Sequence, residues 1–69
     1  MSIADETTAK EAIDMWRNKD PKEQLRQIRL SIESLELNQM HYENEKGVIR
    51  SANAIDILFQ RRKEIESEL

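Results

Sequence analysis

Sixty-nine residues with one Gly, one Pro and no Cys confine the chain to a single small domain, residues 1–69. They exclude disulfide staples, thiolate metal sites and a Cys nucleophile, and they nearly exclude an all-β fold, which needs turn residues every few positions. Eleven basic against fourteen acidic residues leave a net charge of −3, which disfavours nucleic acid as a partner unless basic residues cluster locally.

The opening segment Met-Ser-Ile-Ala-Asp-Glu-Thr-Thr has no apolar core or basic flank of a signal peptide. The longest apolar run, Ile57-Leu58-Phe59, is far short of the ~20 residues that cross a bilayer. A cytoplasmic chain without membrane contact is therefore expected. With 36% charged and 38% hydrophobic residues, the composition is that of helices with one exposed face, and it predicts an all-α fold.

The first helix is expected over about 8–18. Ala9, Ala12, Ile13 and Trp16 form an i, i+3, i+4, i+7 stripe, and Thr8-Ala9-Lys10-Glu11 has capping-box form. Ser2 or Asp5 offers an earlier start. A helix of about three turns does not hold alone in water, so it must dock, with Trp16 as its anchor.

The second helix is expected over about 21–45. Asp20-Pro21-Lys22-Glu23 combines an N-cap Asp, Pro at the first helical position and Glu at the third. Leu25, Ile28, Ile32 and Leu35 follow as a heptad seam of coiled-coil form, with Gln39 and Tyr42 in phase. Leu30 and Leu37 lie nearly opposite that seam with Met40 beside them, and a helix apolar on two sides needs two partners. One is the rest of the chain; the other is the first helix or another subunit.

Glu43-Asn44-Glu45-Lys46-Gly47 interrupts the apolar pattern, and Gly47 suits a left-handed position just past a helix end. A third helix is expected over about 48–68. Val48, Ala52, Ala54, Ile55, Leu58, Phe59, Ile65 and Leu69 cover a face roughly 160° wide, with Ile49 and Ile57 off it. A reversal at Gly47 leaves two segments of about 33–36 Å each, suited to a long antiparallel helical hairpin. The competing arrangement is one helix from Pro21 to the end, since a mid-helix Gly costs only about 1 kcal/mol. Chains near this size bury only about 60% of their unfolded surface. Either version is thus expected to pack as a homo-oligomeric helical bundle.

Catalytic chemistry has little support. His41 is the only histidine, and its neighbours Glu36, Glu43 and Glu45 make no established metal-ligand spacing; a solvated residue beside Met40 and Tyr42 is expected, with no metal and no cofactor. No serine sits on a strand-to-helix elbow, and no Gly-rich loop is available for phosphate. A non-enzymatic module is expected.

Two basic clusters stand out. Lys22, Arg26 and Arg29 share a face at the start of the second helix, while Arg61, Arg62 and Lys63 follow Phe59. In an antiparallel hairpin they meet at one end, near Trp16, as a candidate site for a small anionic ligand such as a nucleotide. Intrahelical pairing, above all Arg62 with Glu66, is the competing and favoured assignment. Arg62 projects from the apolar face between Phe59, Ile65 and Leu69, and so must snorkel or pair across an interface. The candidate partner-binding residues are Trp16, Leu30, Leu37, Met40 and Arg62.

No stretch identifies a family. Ala52-Asn53-Ala54-Ile55-Asp56 partly resembles the Ser-Gln-x-Leu-Asp pattern of small helical phosphatases that act on response regulators in sporulating bacteria. Ala52 stands at the Ser position and Asn53 at the Gln, and only Ile55-Asp56 fits. That resemblance implies dephosphorylation through Asn53 and Asp56. A short leading helix before a hairpin also looks like phage proteins that sequester cyclic-nucleotide immune signals as oligomers, without a diagnostic residue. Both are likenesses of fold alone. The leading expectation is a helical module that regulates or inhibits a protein partner. Sequestration of an anionic ligand comes second and a response-regulator phosphatase last.

Overall fold

A computed structural model describes residues 3–42 and 44–69. Among them are three helices and no strand: α1 (Glu6–Trp16), α2 (Pro21–Gln39) and α3 (Glu45–Glu68).

Helix α1 starts earlier than the Thr8-x-x-Glu11 box predicts. Asp5 is the N-cap: its carboxylate accepts from the Thr8 amide at 2.9 Å, and the Thr8 hydroxyl oxygen accepts from the Asp5 amide at 3.0 Å. Two orphan amides are thereby satisfied reciprocally, with Thr8 at the third helical position rather than at the cap. The Thr8 bonds, helped by the charge of Arg50, hold the Asp5 carboxyl below its ordinary range. Ser2, the other possible start, lies outside the described residues. The helix ends at Trp16 rather than 18 because Asp20, preceding Pro21, takes the extended backbone that a following proline imposes (ψ 138°).

Helix α2 begins as its signals predict. The Asp20 carboxylate accepts from the Lys22 amide at 3.2 Å, with Pro21 at the first helical position. It ends at Gln39, well before residue 45. The amides of Met40, His41 and Tyr42 turn back to the carbonyls of Leu37, Asn38 and Gln39 at 3.3, 3.0 and 3.4 Å, tightening the last turn.

The reversal at Gly47 is not what forms. Gly47 is the third residue of α3, no glycine has positive φ, and its amide donates to the Asn44 side-chain oxygen at 2.9 Å. Asn44 is a strong N-cap with its acceptor placed for the third amide. That bond starts α3 at Glu45 instead of 48, and puts the break in the chain between Met40 and Asn44; Glu43 lies outside the described residues. Nor does one helix run on from Pro21.

A direct test follows from Gly47. In a left-handed turn Gly47→Ala would destabilise. In the right-handed first turn of α3 it should stabilise by about 0.5–1 kcal/mol in urea denaturation. The added Cβ would come 3.0 Å from Tyr42 Cδ1. Tyr42 is 37% exposed and its ring has room to shift. A variant destabilised even with Tyr42→Ala beside it would overturn the helical placement of Gly47, whereas destabilisation relieved by Tyr42→Ala would show a ring that cannot give way.

Helix α3 is the central element, and both other helices pack on it. The Gln39 amide donates to the Ser51 hydroxyl at 2.9 Å, while Arg61 Nη2 donates to Gln24 Oε1 at 3.2 Å. The end of α2 thus lies beside the start of α3, and the start of α2 beside its second half. Helix α1 follows the opposite flank, where Ile13, Asp14 and Arg17 line a groove with Ile57, Gln60 and Arg61. Ile57, off the predicted apolar face of α3, is half-buried there. One core joins Ala9 and Ile13 of α1, Ile28, Ile32 and Leu35 of α2, and Ala54, Leu58 and Ile65 of α3. The described chain measures 38 × 17 × 15 Å, and among its residues no helix is long and apolar enough to cross a membrane.

Candidate functional site

The seam of α2 turns Ile28, Ile32 and Leu35 into the core, which leaves the opposite side of the helix for whatever else touches it. Leu30, Leu37 and Met40 on that side are 43%, 63% and 78% exposed. The first helix, one of the two covers expected for them, lies against α3 instead. Glu33, Glu36, Leu37 and Met40 line a shallow concavity of ≈ 480 Å³ at the far end of this face.

A second feature adjoins it. Lys22, Leu25, Arg26 and Arg29 of α2 face Arg62, Glu66 and Leu69 of α3 across a groove of ≈ 440 Å³. Four of the six predicted anion-binding residues therefore meet in one place. Arg62 takes the two options open to a cation on an apolar face. Its guanidinium carbon lies 4.6 Å from the centre of the Phe59 ring, and its Nε is 3.2 Å from Glu66 Oε1. That Nε–H is buried yet not aimed at the carboxylate, so it makes no hydrogen bond. Arg26 reaches Glu23 only at 3.8 Å, and Lys22 and Arg29 enter no ion pair among the described residues.

Arg61 and Lys63 do not join this groove. The Arg61 side chain, 14% exposed, turns to the α1 side, pairing with Glu64 at 3.1 Å and donating to Gln24. Lys63 is exposed. Successive residues of a helix point about 100° apart, so a run of three basic residues cannot share one site. The groove between α1 and α3, ≈ 290 Å³, is nearly charge-balanced, since Arg17 pairs with Asp14 at 3.0 Å, Arg61 with Glu64 and Lys10 with Glu6 at 3.0 Å.

Trp16 is half-buried against the core as the anchor of α1, apart from the Leu30–Met40 face. His41, Asn53 and Asp56 are exposed, and no group of three His, Asp or Glu able to hold a metal occurs among the described residues. Gln24 and Ser51 went unnoticed in the sequence. Gln24 is 6% exposed and bridges Arg61 to the Lys19 carbonyl, to which it donates at 2.8 Å. Its signal was its position one turn before Ile28, in phase with the seam. Comparison with protein-family models, with curated proteins and with solved structures found no match for the chain, so its surfaces must be read from their own geometry.

Proposed function

We propose that the chain is a small non-enzymatic helical binding module of the cytoplasm that regulates or inhibits a partner protein, with α2 and α3 as an antiparallel hairpin inside a homo-oligomer. The observation that carries this reading is the uncovered row Leu30, Leu37 and Met40 on a helix whose other side already fills the core. Covering such side chains gains about 25 cal/mol per Å² of apolar area removed from water, and surrounding charges set which surface fits. The experiment is recovery of the tagged chain with its complex from the source cell, followed by native mass measurement. A Leu30→Lys/Leu37→Lys variant should stay folded and lose the partner by tenfold or more. Equal recovery with the variant would sink the assignment of this face.

A second reading is favoured by one specific observation, the meeting of Lys22, Arg26, Arg29 and Arg62 in a single groove. There the chain sequesters a small phosphorylated anion such as a nucleotide, held by charge-assisted hydrogen bonds from guanidinium groups. Calorimetry against a nucleotide panel tests it. Binding should weaken on Arg26→Ala and on Arg62→Ala, and affinity untouched by both would remove it.

A further inference from the structure

Lys22, Arg26, Arg29, Glu33, Glu36 and Met40 recur along α2 at alternating four- and three-residue steps, so they form one stripe down the flank between the core seam and the Leu30–Leu37 row. Charge on the stripe is segregated, with cations in the first half and carboxylates in the second. The stripe is also a mirror of itself about the level of Ser31. Arg29 and Glu33 are equidistant from that level, as are Arg26 and Glu36, Leu25 and Leu37, and Lys22 and Met40.

Within one chain this pattern is uncompensated. Lys22, Arg29, Glu33 and Glu36 enter no ion pair among the described residues. Like charges neighbour one another at i, i+3 and i, i+4 within each half, which costs stability on an isolated helix. The one step of opposite sign along the stripe, Arg29 to Glu33, has the cation N-terminal to the carboxylate, the weaker order for such a pair.

We infer that this face docks a second copy of the chain, antiparallel, about a two-fold axis at the level of Ser31. The operation sets Arg29 against Glu33 of the second copy and brings Arg26 level with its Glu36 across the seam. The two Leu30 side chains lie next to the axis. One patch meets itself, as a two-fold dimer requires. Helix α1 packs on α3, and α3 borders the stripe only beside its basic half, through Arg62, Glu66 and Leu69, while no described α1 or α3 residue lines the concavity at Glu33, Glu36 and Met40. The contact runs along about 28 Å of helix. It is short and largely charged, so the dimer is a salt-sensitive one in the class of small interfaces. This inference rests on the reading of the α2 face as a docking surface and names its first occupant.

Sedimentation equilibrium of the full chain tests it. The expected result is a monomer–dimer equilibrium whose dissociation constant rises about tenfold or more between ~50 mM and ~500 mM salt. Arg29→Glu and Glu33→Arg should each weaken the dimer by about tenfold or more, with helix content unchanged by circular dichroism. Their combination, R29E/E33R, keeps the mirror and should restore association to within about threefold. A monomer at every concentration up to ~1 mM overturns the inference, as does a trimer or larger species, a dimer indifferent to both single variants, or a double variant that fails to recover. A monomer that still loses its partner on Leu30→Lys/Leu37→Lys removes the dimer and leaves the docking face. A dimer with no such partner does the reverse.

Discussion

Leu58→Ala lowers the melting temperature by about 10–25 °C, or prevents folding outright. Leu58 is fully buried near the middle of α3, within the cluster that joins residues of all three helices. Truncating such a leucine costs about 2–5 kcal/mol, part lost transfer energy and part residual cavity. Ala9, Ala54 and Ile28 are themselves fully buried around the same core, and close-packed helices move too little to fill the gap. Against a total stability near the lower end of about 5–15 kcal/mol, that loss is most of what keeps a small domain folded. Thermal and urea melts followed by circular dichroism, at matched protein concentration, check it. A loss under about 1 kcal/mol would show that the surrounding side chains close over the cavity.

Ile13→Ala undocks α1 while α2 and α3 stay paired. Helix α1 has 11 residues and a capping box at its start, but is too short to persist without tertiary support. Its buried contribution is Ala9, Ala12 and Ile13, and of these only Ile13 is large. Removing its outer carbons costs about 2–4 kcal/mol, comparable with all that a helix of this size gains by docking. Trp16 is the chain's only tryptophan and is half-buried against the core, so it reports the event directly. Its emission should shift to the red and its quenching rise, with amide exchange accelerated over Glu6–Trp16 and little changed in the middle of α3. A single concerted loss of all three helices would sink this prediction.

The start of α2 was legible because its signals reinforce one another. Asp20, Pro21 and Glu23 act within one turn, and Ile28, Ile32 and Leu35 repeat at a spacing that only a helix can bury together. The end of α2 was misread because two local devices compete there within four residues. Gly47 is permissive in a left-handed turn, whereas Asn44 satisfies the Gly47 amide directly, and a hydrogen bond made outweighs a conformation merely allowed. The candidate site was half legible. Lys22, Arg26, Arg29 and Arg62 were expected to converge and line one groove, but Arg61 is drawn to the other flank by Gln24, a partner remote in sequence.

By itself the sequence determined the all-helical class, the start of α2, the inward seam and the apolar row on the opposite side. These follow from periodicity and capping, which act over a few residues. Only the tertiary structure decided that α1 lies against α3 and leaves Leu30, Leu37 and Met40 uncovered. An amphipathic helix of 11 residues carries one apolar stripe that fits either exposed flank of the other two helices. The choice falls to packing: Ala9 and Ala12 let α1 approach closely, and Ile13 meets the flank where Ile57 offers an apolar surface.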